Sequence, residues 1–356
     1  MRKGLSGLVI SSLLLLPVEF LNAAQPISTL SKSTPNAKTK SFLQLTQKAY
    51  LSIRNSPTGL RSNTLNVNWH ISKNFPTDLS SFFQSQLNDS ISFYDQLLNS
   101  PQQVDIFMQT EKDLKELASY NFPIKEIAEP LSWWSSGHDY NLCSGTFAFF
   151  QTLPVNQTPS LTGGILVPSR SNMKLLDAWC RHTLSHELFH AYQDYWLYEG
   201  ADPSQNPFTA GTDPYDQSEL PIFREGGNDT ITLARTTSTF NEYLSIFNAH
   251  FSKPFKRWSL SKVQSKQDLV KYLQQSESRS KYPQYHDSLY LTGCLFFNFL
   301  VEKYGFDRYL LLIKSTSRNR KFSDVIENVY GVPLNQLYSD SSDYLLNAFN
   351  YLRMLK

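Results

Sequence analysis

Two histidines enclose a glutamate in the run His186-Glu187-Leu188-Phe189-His190. On an α-helix a step of four residues turns the side chain by only about 40°, so both imidazoles leave the same face one turn apart. Neutral imidazoles so placed can bind one metal ion together. Glu187 leaves the helix in a neighbouring direction, close enough to serve a water molecule on the ion without being a ligand. An ion that polarises a carbonyl and acidifies water, beside a carboxylate that can take the proton, amounts to hydrolytic chemistry. The flanks suit a buried helix, since Thr183-Leu184-Ser185 and Ala191-Tyr192 carry no charge, proline or glycine.

Catalytic zinc takes three protein ligands and keeps one position open. The downstream candidates for the third ligand are Asp194, Glu199, Asp213, Asp216, Glu219 and Glu225. Glu225 is favoured, because FREGGNDTITLA opens a second helix after a loop that lets the chain return. Glu199 sits at the tail of the first helix, a poor place from which to turn back. GTDPYD (211–216) faintly echoes zinc peptidases with an aspartate ligand, but lacks the rest of their signature. Asp229 follows Glu225 by four residues on the same face. A carboxylate there can accept the second N–H of a ligand imidazole and fix its tautomer.

With these residues the chain resembles the gluzincin branch of zinc metallopeptidases, the peptidase MA-like group. His186, Glu187 and His190 stand where that family has two ligands and a general base, and Glu225-Gly226 where it has its Glu-Gly third ligand. Asp229 matches an acidic position of thermolysin-like members. YLTGCLFFNFLVEKYGFDRYL is similar to a later family helix, which makes Tyr290 the catalytic tyrosine and Gly293, Leu300 and Tyr304-Gly305 its framework. FSDVIENVYGVPLNQL resembles the family's helix–Gly–helix ending.

The resemblance implies a gluzincin-like α+β fold and one zinc ion per chain, held by His186, His190 and Glu225. It also implies hydrolysis of a peptide or protein substrate, with Glu187 as general base and Tyr290 donating to the oxyanion. Two features depart from the pattern. The segment 191–224 is longer than in many gluzincins, and no GxMEN-like segment precedes the helix, which points to an endopeptidase rather than an aminopeptidase. LTGGILVP occupies a comparable place. There Gly163 and Gly164 are expected to let a substrate backbone approach an edge strand by β-addition. The alternative function is a non-catalytic binding protein on the same scaffold. A purely structural zinc site is disfavoured, since no Cys or His beside HELFH would close the fourth position.

The elements that must position these residues follow from periodicity. Residues 41–54 read as a short helix. TLNVNWHIS alternates as a strand, and TDLSSFFQSQLNDSISFYDQLLN has helical spacing with Thr77 or Asp78 as cap. QVDIFMQT, SGTFAFFQTL and LTGGILVP are further strands, and EKDLKELASY is a helix. MKLLDAWCRHTLSHELFHAYQDYWLYEG is a long helix ending near Gly200. Beyond the 201–221 loop, helices are expected over 225–249, 285–304, 306–316, 321–330 and 334–352. The expected organisation is a signal peptide over 1–24, a flexible leader and short helix over 25–63, an α+β lobe with HELFH over 64–205, and a helical lobe with the third ligand and catalytic Tyr over 206–356.

The composition carries such a chain. Of 356 residues 40% are hydrophobic, 14% aromatic and 18% charged, enough apolar side chain for one large core or two smaller ones. Disordered, collagen-like and coiled-coil chains are excluded. A net charge of +2 argues against a nucleic-acid partner. Residues 1–24 have a basic start at Arg2 and Lys3, an apolar stretch from Leu8 to Leu16, and small residues Ala23 and Ala24. That is the layout of a secretory signal peptide, implying a secreted or periplasmic protein with no integral membrane segment after cleavage. The three cysteines, Cys143, Cys180 and Cys294, leave at least one thiol unpaired in a monomer, with Cys143–Cys180 the candidate pair.

Overall fold

A computed structural model describes residues 36–56, 65–98, 103–110, 147–155, 158–169, 178–199, 220–277, 282–317 and 320–355. The expected signal peptide, the helix over 111–120, Cys143 and most of the 201–221 loop lie outside the described residues. Helix dominates, with one small sheet, so the architecture is α+β at this level. No described helix is long and apolar enough to cross a membrane. The chain divides into two compact units. Described residues 65–195 fall in the first, and 36–56, 196–199 and 220–355 in the second.

In the first unit four strands form one sheet: β1 (Asn66–Ile71), β2 (Gln103–Thr110), β3 (Phe147–Val155) and β4 (Thr158–Ser169), in the order β1-β2-β4-β3. β1, β2 and β4 run parallel, and β3 returns antiparallel on β4. The apolar run Val104, Ile106, Phe107 and Met108 is buried, as an interior strand covered on both faces requires. Helix α1 (Ala37–Arg54) belongs to the second unit, whereas α2 (Thr77–Leu97) and most of α3 (Ala178–Glu199) belong to the first. α2 buries Leu79, Phe83, Leu87, Ile91 and Tyr94, the spacing of one helical stripe. The expected side-chain cap is absent. Pro76 occupies the cap position, and Thr77 is already helical, its carbonyl accepting from the Ser80 and Ser81 hydroxyls. Proline pre-sets the backbone for a helix start but has no side-chain oxygen to accept from the free amides.

The second unit is helical. α1 is capped by Asn36, whose side chain accepts from the Thr39 amide at 2.9 Å. It buries Phe42, Ala49, Tyr50 and Ile53, with Phe42 against the rings of Phe247, Tyr344 and Tyr351. In place of one helix over 225–249 there are three pieces: a π-helical turn (Ile222–Gly227), α4 (Asn228–Thr236) and α5 (Phe240–Arg257). The threonines explain the break. Thr230, Thr232, Thr236 and Thr237 each return a hydroxyl hydrogen bond to the carbonyl four residues back, which bends helices. Thr239 then starts α5, accepting from the Glu242 amide at 3.1 Å while Glu242 accepts from the Ser238 amide, a close relative of the capping box.

α6 (Lys266–Ser276), α7 (Tyr282–Tyr304), α8 (Phe306–Ser315), α9 (Phe322–Tyr330) and α10 (Leu334–Met354) complete the unit. α7 is its axis, buried all round from Ser288 to Phe297. Gly305, at φ +90°, makes the corner into α8, and Gly331, at φ +71°, ends α9 in the left-handed conformation that glycine adopts without strain.

Candidate metal centre

α3 has no proline or glycine from Ala178 to Glu199, the last described residue of this segment. Every residue from His182 to His190 is buried, so this is an interior helix rather than an amphipathic one. His186 and His190 lie one turn apart with ring centroids at 4.8 Å, and His182 extends the same stripe at 5.9 Å from His186. Glu187 is fully buried between the two turns.

A separate face fastens α3 to α2. The Tyr94 hydroxyl lies 2.5 Å from Ser185 Oγ, and Ser90 donates to the same oxygen at 3.1 Å. Phe189 packs on Tyr94, and Tyr192 donates to the Asp95 carboxylate at 2.7 Å. Burial first, and then the charge of Asp95, holds the Tyr192 phenol well above its ordinary pKa, so it stays a donor. These contacts set the roll of α3 from a face about 90° round the helix from the imidazole stripe.

The acids belong to the second unit. Glu225 lies in the π-helical turn and Asp229 one turn on in α4, both buried. Such wide turns cluster at functional sites. This one rests directly on α7. A Cβ at Gly226 would fall 2.3 Å from Gly293 Cα, and one at Gly293 would fall 2.2 Å from the Ile222 carbonyl oxygen. Only two glycines permit that crossing. Thr230 donates to the carbonyls of both Gly226 and Cys294, and Tyr309 donates to the Gly227 carbonyl at 2.5 Å, which stitches the turn in place. Tyr290 is buried on α7 one turn before Gly293, so Glu225 and Tyr290 flank the same glycine crossing. Cys294 is buried beside them. Desolvation, and then the Asp229 charge, pushes its thiol far up, which makes it an unreactive neutral group.

His186, His190 and Glu225 form one set of buried groups that could hold a metal ion, and His182, His186 and Asp229 form another. Two imidazole nitrogens and a carboxylate oxygen are the donor set that suits zinc.

The expectation for Gly163 and Gly164 needs correction. β4 is no edge strand: Gly163 and Gly164 pair with Val104 and Asp105 of β2 on one side, and with Phe150 and Phe149 of β3 on the other. Among the described strands the edges are β1 and β3, so β-addition at the two glycines has no open ladder to join. Sequence reasoning passed over Gln193. Its Oε1 lies 2.9 Å from His190 Nδ1, and it is buried. The available signal was a polar amide three residues after the second histidine, on the same helical stripe. No family model, curated protein or solved structure matches the chain.

Proposed function

We propose that this chain is an exported, gluzincin-like zinc peptidase, an endopeptidase that hydrolyses peptide or protein substrates. The observation that carries the proposal is the pair His186 and His190, buried one turn apart on α3 with Glu187 between them. Glu225, buried in its π-helical turn, supplies the third ligand, and Asp229 supports the ligand set from one turn further on. When bound, zinc supplies polarisation of the scissile carbonyl and a water pKa lowered toward 7. Glu187 takes the proton of the attacking water and hands it to the leaving nitrogen. Its complete burial keeps that proton from bulk solvent. Tyr290 donates its hydroxyl to the developing oxyanion, a contribution of about 2–4 kcal/mol by comparison with oxyanion-hole donors.

The test is metal analysis of the purified protein together with digestion of a broad peptide library. Wild type is expected to carry one zinc per chain and to cleave. Glu187→Gln is expected to keep the zinc and lose about 10²–10⁴-fold in rate, and His190→Ala to lose the metal. Stoichiometric zinc in a wild type that cleaves nothing would favour the non-catalytic binding protein instead.

A further inference from the structure

We infer that Gln193 is a positioning residue that sets the tautomer of His190 and thereby directs the Nε2 lone pair of that ring at a divalent cation. The inference rests on the metal-hydrolase proposal and adds to it a group from outside the ligand set. Gln193 lies three residues after His190 on α3, so the two side chains share a helical stripe. Both are 1% exposed. A primary amide is seldom buried so completely, and its burial is costly unless its polar atoms find partners.

Here the amide oxygen Oε1 lies 2.9 Å from His190 Nδ1. A carbonyl oxygen only accepts, so Nδ1 must carry the proton. In the neutral ring the lone pair is then left on Nε2, the outer nitrogen. The hydrogen bond also stops rotation of the ring about its Cβ–Cγ bond and makes Nε2 more basic. An amide does this without charge. That matters on a helix where Glu187 is already buried, since a second anion there would carry its own desolvation cost.

Ring tautomers can be read directly from long-range ¹H–¹⁵N correlation spectra of the full zinc-free chain, and zinc affinity from competition with a chelator. In the wild type His190 is expected to be protonated on Nδ1. Gln193→Leu, which cannot accept, is expected to populate both tautomers and to raise the zinc Kd by 10–100-fold, the usual range for loss of a partner behind a ligand histidine. Gln193→Glu, which can accept, is expected to restore the Nδ1–H tautomer and bring the Kd back to within a few-fold of wild type. A wild-type His190 protonated on Nε2 overturns the inference without any variant needing to fold. So does a leucine variant with unchanged tautomer and unchanged Kd. A wild type that shows Nδ1–H yet binds no zinc overturns the metal proposal, and with it the purpose assigned to Gln193.

Discussion

The imidazoles and the acids of the candidate centre are held by different physics. His186 and His190 owe their separation to the helix itself, because any unbroken α-helix puts residues four apart on one face. Packing against α2 sets only the roll of α3. Glu225 and Asp229 owe their positions to packing. They ride on a π-helical turn whose backbone touches the backbone of α7 through Gly226 and Gly293. The first arrangement is local and tolerant, while the second is non-local and depends on two residues that have no side chains. A centre built from both should therefore fail in two distinguishable ways.

The largest effect is expected at the glycine crossing. Gly226→Ala drives a methyl group into the Gly293 backbone, which cannot yield as a side-chain tip can. We expect a loss of about 3 kcal/mol or more in chemical unfolding, at the upper end for overpacking, with weakened zinc binding in whatever folds. Gly305→Ala is the matched control. Nothing lies within 4 Å of its added methyl, so only the backbone is penalised, and at φ 90°, ψ 153°, a conformation reserved for glycine, that costs about 1–3 kcal/mol. Equal losses at the two glycines would show that the Gly226–Gly293 contact adds no packing cost beyond that of the backbone.

An intermediate effect is expected at Asp95. Asp95→Ala strands the buried Tyr192 hydroxyl and should cost about 1–3 kcal/mol. The helical spacing of the imidazoles is untouched, so the zinc affinity of the folded fraction should stay within a few-fold of wild type. A large fall in affinity would show that the roll of α3, as well as its period, governs the ligands.

The smallest effect is expected at Lys303 and Asp340, a surface pair at 2.7 Å far from either mechanism. Their hydrogen bond lowers the Asp340 pKa and raises that of Lys303. The Asp340 contribution is therefore present above its unfolded pKa and fades as pH falls through the folded value. The Lys303 contribution is present below its unfolded pKa and fades as pH rises through the folded value. Both side chains are about a third exposed, so solvent screening limits Lys303→Met to about 0.2–1 kcal/mol near neutral pH. That difference should shrink in acid and in high salt. A pH-independent loss would point to the Lys303 ammonium over the Phe299 and Tyr304 rings rather than to its pairing with Asp340.

Short-range order was legible in the residues alone. The run from Gln103 to Thr110 is one strand, HELFH lies on one unbroken helix, and α8 to α10 begin and end within two residues of their apolar pattern. In each case the signal is a period of 2 or 3.6 that a few neighbouring side chains can carry. The Thr239–Glu242 start of α5 was equally present as a T-x-x-E pattern but was outweighed by the helical period running through it. Tertiary structure alone decided the rest. Which strands flank β4 depends on partners distant in the chain, so the two glycines proved interior rather than open to a substrate. The π-helical turn under Glu225 and the Gly226–Gly293 contact also arise only once α7 lies alongside. A helical period is a property of consecutive residues, whereas close approach between backbones is a property of the whole core. For that reason the imidazole half could be read from the sequence, and the setting of the carboxylate half could not.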